Sequence, residues 1–408
     1  MSESIDKKQV IDKYTALISK PRIERLASLG LDIVETAREG SKVFDADGRG
    51  FYDCFCSGGQ FVIGHRSPEM VAALRDAVRE ADLGNFLMLS AQKAALAKKL
   101  ADVTPGALKI SVFGVSRGES NDFALKLSRG FTGRSEFVCF EGGEHGETGF
   151  ALSVSDRPEH ESLFGPLIPF VSRVPMTVES LKSAVSDKTA AVIVEPVQSD
   201  AGVVMPPRGF LEAARRVCDR RGALLIFDEG RLAFGRTGKM FECMRSGVTP
   251  DILTVGKGMG GTVFPITSTI FTPRVNRFMI THTLIHLSTF GGADTGCMVA
   301  VAAIDHIIRK RLVANAEAMG NKLIRGLKSI ATDTGKLVEA RGVGLLAGVE
   351  AESAEAAAAF TRELAAFGVI ALPAPGNPAV VRFTPPIDIT DEETDGILDA
   401  ADTAASKI

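Results

Sequence analysis

Long amphipathic stretches alternate with short apolar runs through the middle of the chain. The runs are KISVFGV (109–115), FVCFEG (137–142), AAVIVEPV (190–197), ALLIFDE (223–229) and ILTVG (252–256). Each is rich in β-branched or aromatic residues and nearly unbroken in apolar character, as in a strand covered on both faces. Segments such as ESNDFALKLSRGF and GFLEAARRVCDRRG lie between them with helical spacing. The alternation predicts a wound α/β protein whose mostly parallel central sheet is wrapped by helices.

The two ends are patterned differently. SKVFDADGRGFYDCF (41–55) alternates around an Asp-Gly turn and predicts a hairpin. The C-terminal part holds the Ala-rich helical stretch LVANAEAMGNKLIRGLKSIA and a strand pair around RGVGLLAGVE and AVVRFTPP. The expected division is a large domain over 61–300 and a small α+β domain built from 1–60 and 301–408.

Composition narrows the classes. The chain has 408 residues, 45% hydrophobic and 24% charged, as in soluble globular proteins. Its formal net charge is −3 with both signs interspersed, so neither nucleic acid nor an anionic membrane is expected as a partner. No apolar run approaches the roughly 20 residues that span a bilayer. The polar N-terminus has no signal-like apolar region, which points to the cytoplasm. Of six cysteines only Cys54 and Cys56 are close in sequence. A metal site would need two further ligands at matching spacing, and no metal is expected; the cysteines read as buried thiols in a reducing compartment.

Candidate chemistry gathers at strand ends. In PDILTVGKGMGG (250–261), Lys257 follows a buried run and is surrounded by glycines. A solvated lysine needs no such setting, whereas one that forms an imine with a cofactor does. Asp228 and Glu229 end another run, at the edge where wound sheets bind ligands. In KISVFGVSRGESNDFALKLSR, a strand meets a Ser/Gly turn and then a helix opened by Ser116 or Gly118. Its free N–H groups form an anion site to which Arg117 adds charge, and a simple N-cap explains the same residues equally well. FEGGEHGETGFALS (140–153) carries His145 between Glu144 and Gly146, where a turn alone accounts for the glycines. Arg382, inside VVRFTPPIDIT, calls for a carboxylate partner from protein or substrate.

The order and spacing of these segments, from about residue 30 onward, resemble the class III (omega) aminotransferases of fold type I, which use pyridoxal 5′-phosphate. The block FDEGRLAFGRTGKMFECMRSGVTPDILTVGKGMGG (227–261) carries the resemblance most specifically. The resemblance implies that Lys257 forms the imine and shuttles a proton, and that Asp228 pairs with the pyridinium nitrogen. It implies that Ser116, Arg117 and Gly118 form the phosphate turn and that Thr289, in LSTFGG, reaches the phosphate of a second subunit, so a homodimer is expected. Arg382 would grip a substrate carboxylate. Asp200 would pair with Arg382 when an uncharged end binds, and Glu195 and Gln198 belong to the same loop.

Five positions depart from the family pattern in one shell. Glu144 replaces an aromatic residue that stacks on the ring beside His145. Gly230 replaces a valine that packs on the ring, and Arg231 a glutamine at its phenolic oxygen, to which Arg231 could still donate. Arg117 replaces a glycine, implying a shifted loop or an ionic contact with phosphate. Glu147 stands where several members carry an arginine, and would repel a dicarboxylate. The expected activity is transfer of an amino group from a primary amine or ω-amino acid to an oxo acid or aldehyde. The alternatives are decarboxylation, racemisation or aminomutation on the same scaffold, or a catalytically silent relative acting as a binding protein.

Overall fold

Seven strands build the central sheet of the computed structural model, which describes residues 5–408. The first four residues of the expected 1–60 segment lie outside the described residues. Across the sheet the strands run Ile110–Gly114, Thr267–Phe271, Ile252–Val255, Leu224–Asp228, Thr189–Val194, Glu136–Phe140 and Val171–Val174. Neighbours pair in parallel, except that Thr267–Phe271 is antiparallel to both of its own. Thr189–Val194, Leu224–Asp228 and Ile252–Val255 are buried at every position, which is why their sequences run apolar without a break.

All five expected runs form strands, and two further strands carry no apolar signature. Val171–Val174 is a part-exposed edge strand containing a serine and an arginine. Thr267–Phe271 is fully buried yet hydroxyl-rich. Its hydroxyls are satisfied by the helix Arg117–Thr132: Ser120 Oγ donates to Thr267 Oγ1 at 2.7 Å, and Thr269 Oγ1 donates to the Ser120 carbonyl at 2.9 Å.

The hairpin forms between Lys42–Asp45 and Gly50–Asp53, its turn closed by Asp45 accepting from the backbone of Asp47 and Arg49. Val369–Ile370 then pairs in parallel with Tyr52–Asp53, so the two ends of the chain share a sheet. The stretch RGVGLLAGVE belongs to two strands, Leu337–Val343 and Leu346–Ala351, and the second pairs with Asn377–Phe383, which carries Arg382. The helix Asp294–Arg309 runs across residue 300, and after a left-handed break at Arg311 a second helix, Leu312–Thr334, packs against the C-terminal strand Leu337–Val343. All six cysteines are buried and free. Among the described residues no helix is long and apolar enough to cross a membrane.

Candidate active site

The site lies at the carboxyl edge of the central sheet, where Asp228 ends one strand directly beside Thr254 of the next. Three residues on, Lys257 opens a short helical turn with the left-handed φ of 45°. For a side chain other than glycine this conformation costs on the order of 1 kcal/mol. The Lys257 Nζ donates to the Gly58 carbonyl at 2.7 Å, so the N-terminal segment reaches the site just past the hairpin. Burial first, then Arg231, Arg117 and Arg382, pulls the amine far below the usual lysine range.

Ser116 caps the helix Arg117–Thr132, its hydroxyl accepting from the Glu119 N–H at 3.2 Å. The helix start packs tightly on the loop after Glu136–Phe140. A Cβ on Gly146 (φ 128°) would lie 2.6 Å from the Gly118 Cα, and one on Gly118 would lie 2.7 Å from Thr148 Oγ1. This close approach carries Glu144 and His145 over the sheet edge.

Asp228 is saturated there. Arg117 meets it side-on, with Nε 2.9 Å from Oδ1 and Nη2 2.7 Å from Oδ2. Asn121 Nδ2 donates to Oδ2 at 2.7 Å, and His145 Nδ1 lies 2.9 Å from the same oxygen. The Gly230 N–H donates to Oδ1 at 3.1 Å. Burial opposes ionisation of Asp228, but Arg117 and His145 outweigh it and hold its carboxyl below the usual range.

The remaining charges interlock. Arg117 also bonds the Glu144 carboxylate and backbone carbonyl, and its Nη2 lies 3.2 Å from Glu195 Oε2. Arg231 Nη2 donates to Glu144 at 2.7 Å and to Asp200 at 2.9 Å. Asp200 in turn accepts from Arg382, which also donates to Ser199 Oγ at 3.0 Å. Against the cost of burial, Arg117 and Arg231 pull Glu144 far down, and Arg231 and Arg382 pull Asp200 down. Glu195 goes the other way: burial lifts it to about 8 despite Arg117, with Asp228 and Glu144 adding to the rise.

Most of the anticipated residues therefore converge. Two lie elsewhere: Glu147 is exposed, 3.3 Å from His160, and Thr289 is exposed on the loop before Asp294–Arg309. Arg117 turns inward onto Asp228, and Arg231 is engaged by two carboxylates. Gln198 donates to the Glu141 carbonyl at 2.8 Å. Sequence reading missed Asn121, which bridges Asp228, the His145 carbonyl and Thr254. Its spacing four residues after Arg117 on one helix face was the available signal. Gly58 carried no signal, because only its backbone is used.

The sequence profile of the family described as Aminotransferase class-III matches residues 27–404. The chain belongs to the class-III aminotransferase family. An uncharacterized aminotransferase of Archaeoglobus fulgidus is 37% identical over 392 residues, covering 96% of this chain and 92% of that one. A transaminase from the marine bacterium Virgibacillus superposes with a TM-score of 0.92 at 26% identity, covering 98% of both chains. The ornithine aminotransferase of Toxoplasma gondii, whose active site holds pyridoxal phosphate at partial occupancy, superposes with a TM-score of 0.91 at 25% identity. That match covers 98% of this chain and 94% of that one. Family, relative and solved structures support a transaminase, on a scaffold consistent with the fold type I expected for this class-III member. Within this class-III aminotransferase, the departures at 117, 144 and 231 touch one another: Arg117 bonds Glu144, and Glu144 bonds Arg231.

Proposed function

We propose that the chain is a pyridoxal-phosphate-dependent aminotransferase that takes nitrogen from a primary amine or ω-amino acid and delivers it to an oxo acid or aldehyde in a ping-pong cycle. One observation carries the reading: Lys257, in register with the family's lysine, sits just past the strand that pairs with Asp228's own, its amine pulled far below the usual lysine range.

The donor set fits the cofactor in three places. Lys257 offers a nucleophilic amine, Asp228 an anion for a ring nitrogen, and the Ser116-capped helix a start whose free N–H groups suit a phosphate. The fit requires Arg117 to leave Asp228. When bound, pyridoxal phosphate supplies a carbonyl carbon for nitrogen and a ring that withdraws electrons from the donor's Cα. The chain supplies the rest. Lys257 Nζ would accept the Cα proton and return it, a role that its lowered basicity suits. Asp228 would hold a positive charge on the ring nitrogen, and His145 and Asn121 fix the orientation of its carboxylate. Arg382 grips the carboxylate of an oxo acid, and Asp200 takes its place when the bound end is uncharged.

We further propose a cytoplasmic homodimer with the domains divided at about 60 and 300. Phe86, Leu87, Met88 and Leu89 are exposed, as are Leu284, Ile285, Leu287 and Phe290 on the loop bearing Thr289. An apolar surface of this kind suits burial against a second copy. One observation favours a second reading, a relative that no longer uses the cofactor: the Arg117–Asp228 pair already neutralises the anchor.

Incubation with pyridoxal phosphate, borohydride reduction and peptide mapping test the proposal. An adduct on Lys257, with a visible band that bleaches on adding an amine, is expected. A folded protein with no adduct on Lys257 overturns it.

A further inference from the structure

We infer that Arg117 is an internal stand-in for the cofactor's ring cation: seated on Asp228 and locked by Glu144 and Arg231, it closes the site, and pyridoxal phosphate enters only by displacing it. The inference rests on the proposed cofactor and concerns what opposes its entry.

Three observations carry it. The first is the seat itself. Nε and Nη2 of Arg117 take both oxygens of Asp228, while Nη1 takes the Glu144 carboxylate. Asn121, His145 and the Gly230 N–H fill further acceptor directions of Asp228, so a ring nitrogen finds no vacant one.

The second is Gly230. A Cβ there would lie 2.7 Å from Arg117 Cδ and 2.9 Å from Cγ. The contact is with the middle of the side chain, not its tip, so the valine of the family pattern and a seated Arg117 exclude each other. Gly230 and Arg117 are two halves of one change.

The third is electrostatic. Arg117 occupies the first turn of a sixteen-residue helix, where a cation is disfavoured by the helix dipole. A surface arginine would turn to water. This one turns inward, and Asp228, Glu144 and Glu195 surround its guanidinium. Glu144 is shared with Arg231, so positions 117, 144 and 231 form a single chain of charge pairs. Three unrelated substitutions have no reason to pair with one another.

Competition for one seat has a simple consequence. Apparent affinity for the cofactor falls by the fraction of molecules in which Arg117 has left, so removing the side chain restores what that equilibrium withholds.

The test is a titration of the full-length, cofactor-free protein with pyridoxal phosphate, following the visible band, together with thermal melting without cofactor. Wild type is compared with Arg117→Gly and with Gly230→Val, which crowds the arginine off its seat while keeping every charge. Both variants are expected to bind by about tenfold or more tighter than wild type. Without cofactor, Arg117→Gly is expected to melt lower, because Asp228 and Glu195 lose their cation and Glu144 keeps only Arg231. Binding by the variants alone supports the inference and ends the reading of the wild-type chain as a pyridoxal phosphate enzyme. Equal or weaker binding by Arg117→Gly, with wild type bound, overturns the inference and leaves the proposed function standing. Failure of all three proteins to bind overturns both. Should Arg117→Gly not fold, Gly230→Val decides by the same criteria.

Discussion

Phe227 and Asp228 are consecutive residues of one strand, both closed to solvent, and their surroundings share nothing. Phe227 packs in the large apolar cluster under the sheet, where another hydrophobe of similar volume would cost little. Asp228 is defined by named partners drawn from two other segments, Arg117 and Asn121 on one helix and His145 on the loop after Glu136–Phe140. The sheet interior is specified by pattern, and its carboxyl edge by pairings. The contrast predicts that damage to the interior is read as lost stability, and damage to the edge as lost chemistry.

The sharpest separation is at Lys257. Lys257→Ala is expected to abolish the borohydride adduct and lower turnover by about a thousandfold or more. Its melting temperature without cofactor should stay the same or rise, since a poorly solvated amine is removed. A large loss of stability would erase the distinction between edge and interior. Phe227→Ala is the mirror case: a denaturation midpoint reporting a loss of about 3–5 kcal/mol, with Lys257 still labelled in the folded protein.

A smaller effect sharpens the electrostatic half. Burial raises Glu195 from 4.5 to about 8. A raised carboxyl contributes stability that is whole below its unfolded value and is lost as pH climbs through the folded one. Asp228, Glu144 and Asp200 are lowered, so their contribution is whole above the ordinary carboxylate range and is lost as pH falls. Stability measured against pH should therefore decline on both sides. Glu195→Gln should flatten the decline between pH 4.5 and about 8 and leave the acid one, while its amide oxygen can still accept the Glu144 N–H. An unchanged decline over that window would show that Glu195 does not set it. The smallest effect on the fold is expected from Leu89→Glu combined with Phe290→Glu, at exposed positions. Sedimentation should show a shift from dimer to monomer with little change in melting temperature.

The sequence made the interior legible because burial on both faces leaves an unbroken apolar run, as in Thr189–Val194. Thr267–Phe271 escaped because its hydroxyls are satisfied by a helix residue 147 and 149 positions away in the chain, a pairing no local window contains. Lys257, Asp228 and Arg382 were legible as chemistry-bearing types at strand ends and through the resemblance. Arg117, Glu144, Gly230 and Arg231 were legible only as four separate departures. That they are one unit follows from contacts across 27 to 113 positions of sequence, such as Arg117 with Glu144 and the Cβ position of Gly230 with the Arg117 stem. Asn121 and the Gly58 carbonyl were hidden for a related reason, because their roles are set by what lies opposite them.

The central claim is that Arg117 and the cofactor compete for Asp228. A crystal structure of the protein soaked with pyridoxal phosphate tests it most directly. A ring whose nitrogen meets Asp228 and an Arg117 side chain turned away from it are expected. A bound ring with the Arg117–Asp228 pair intact would contradict it.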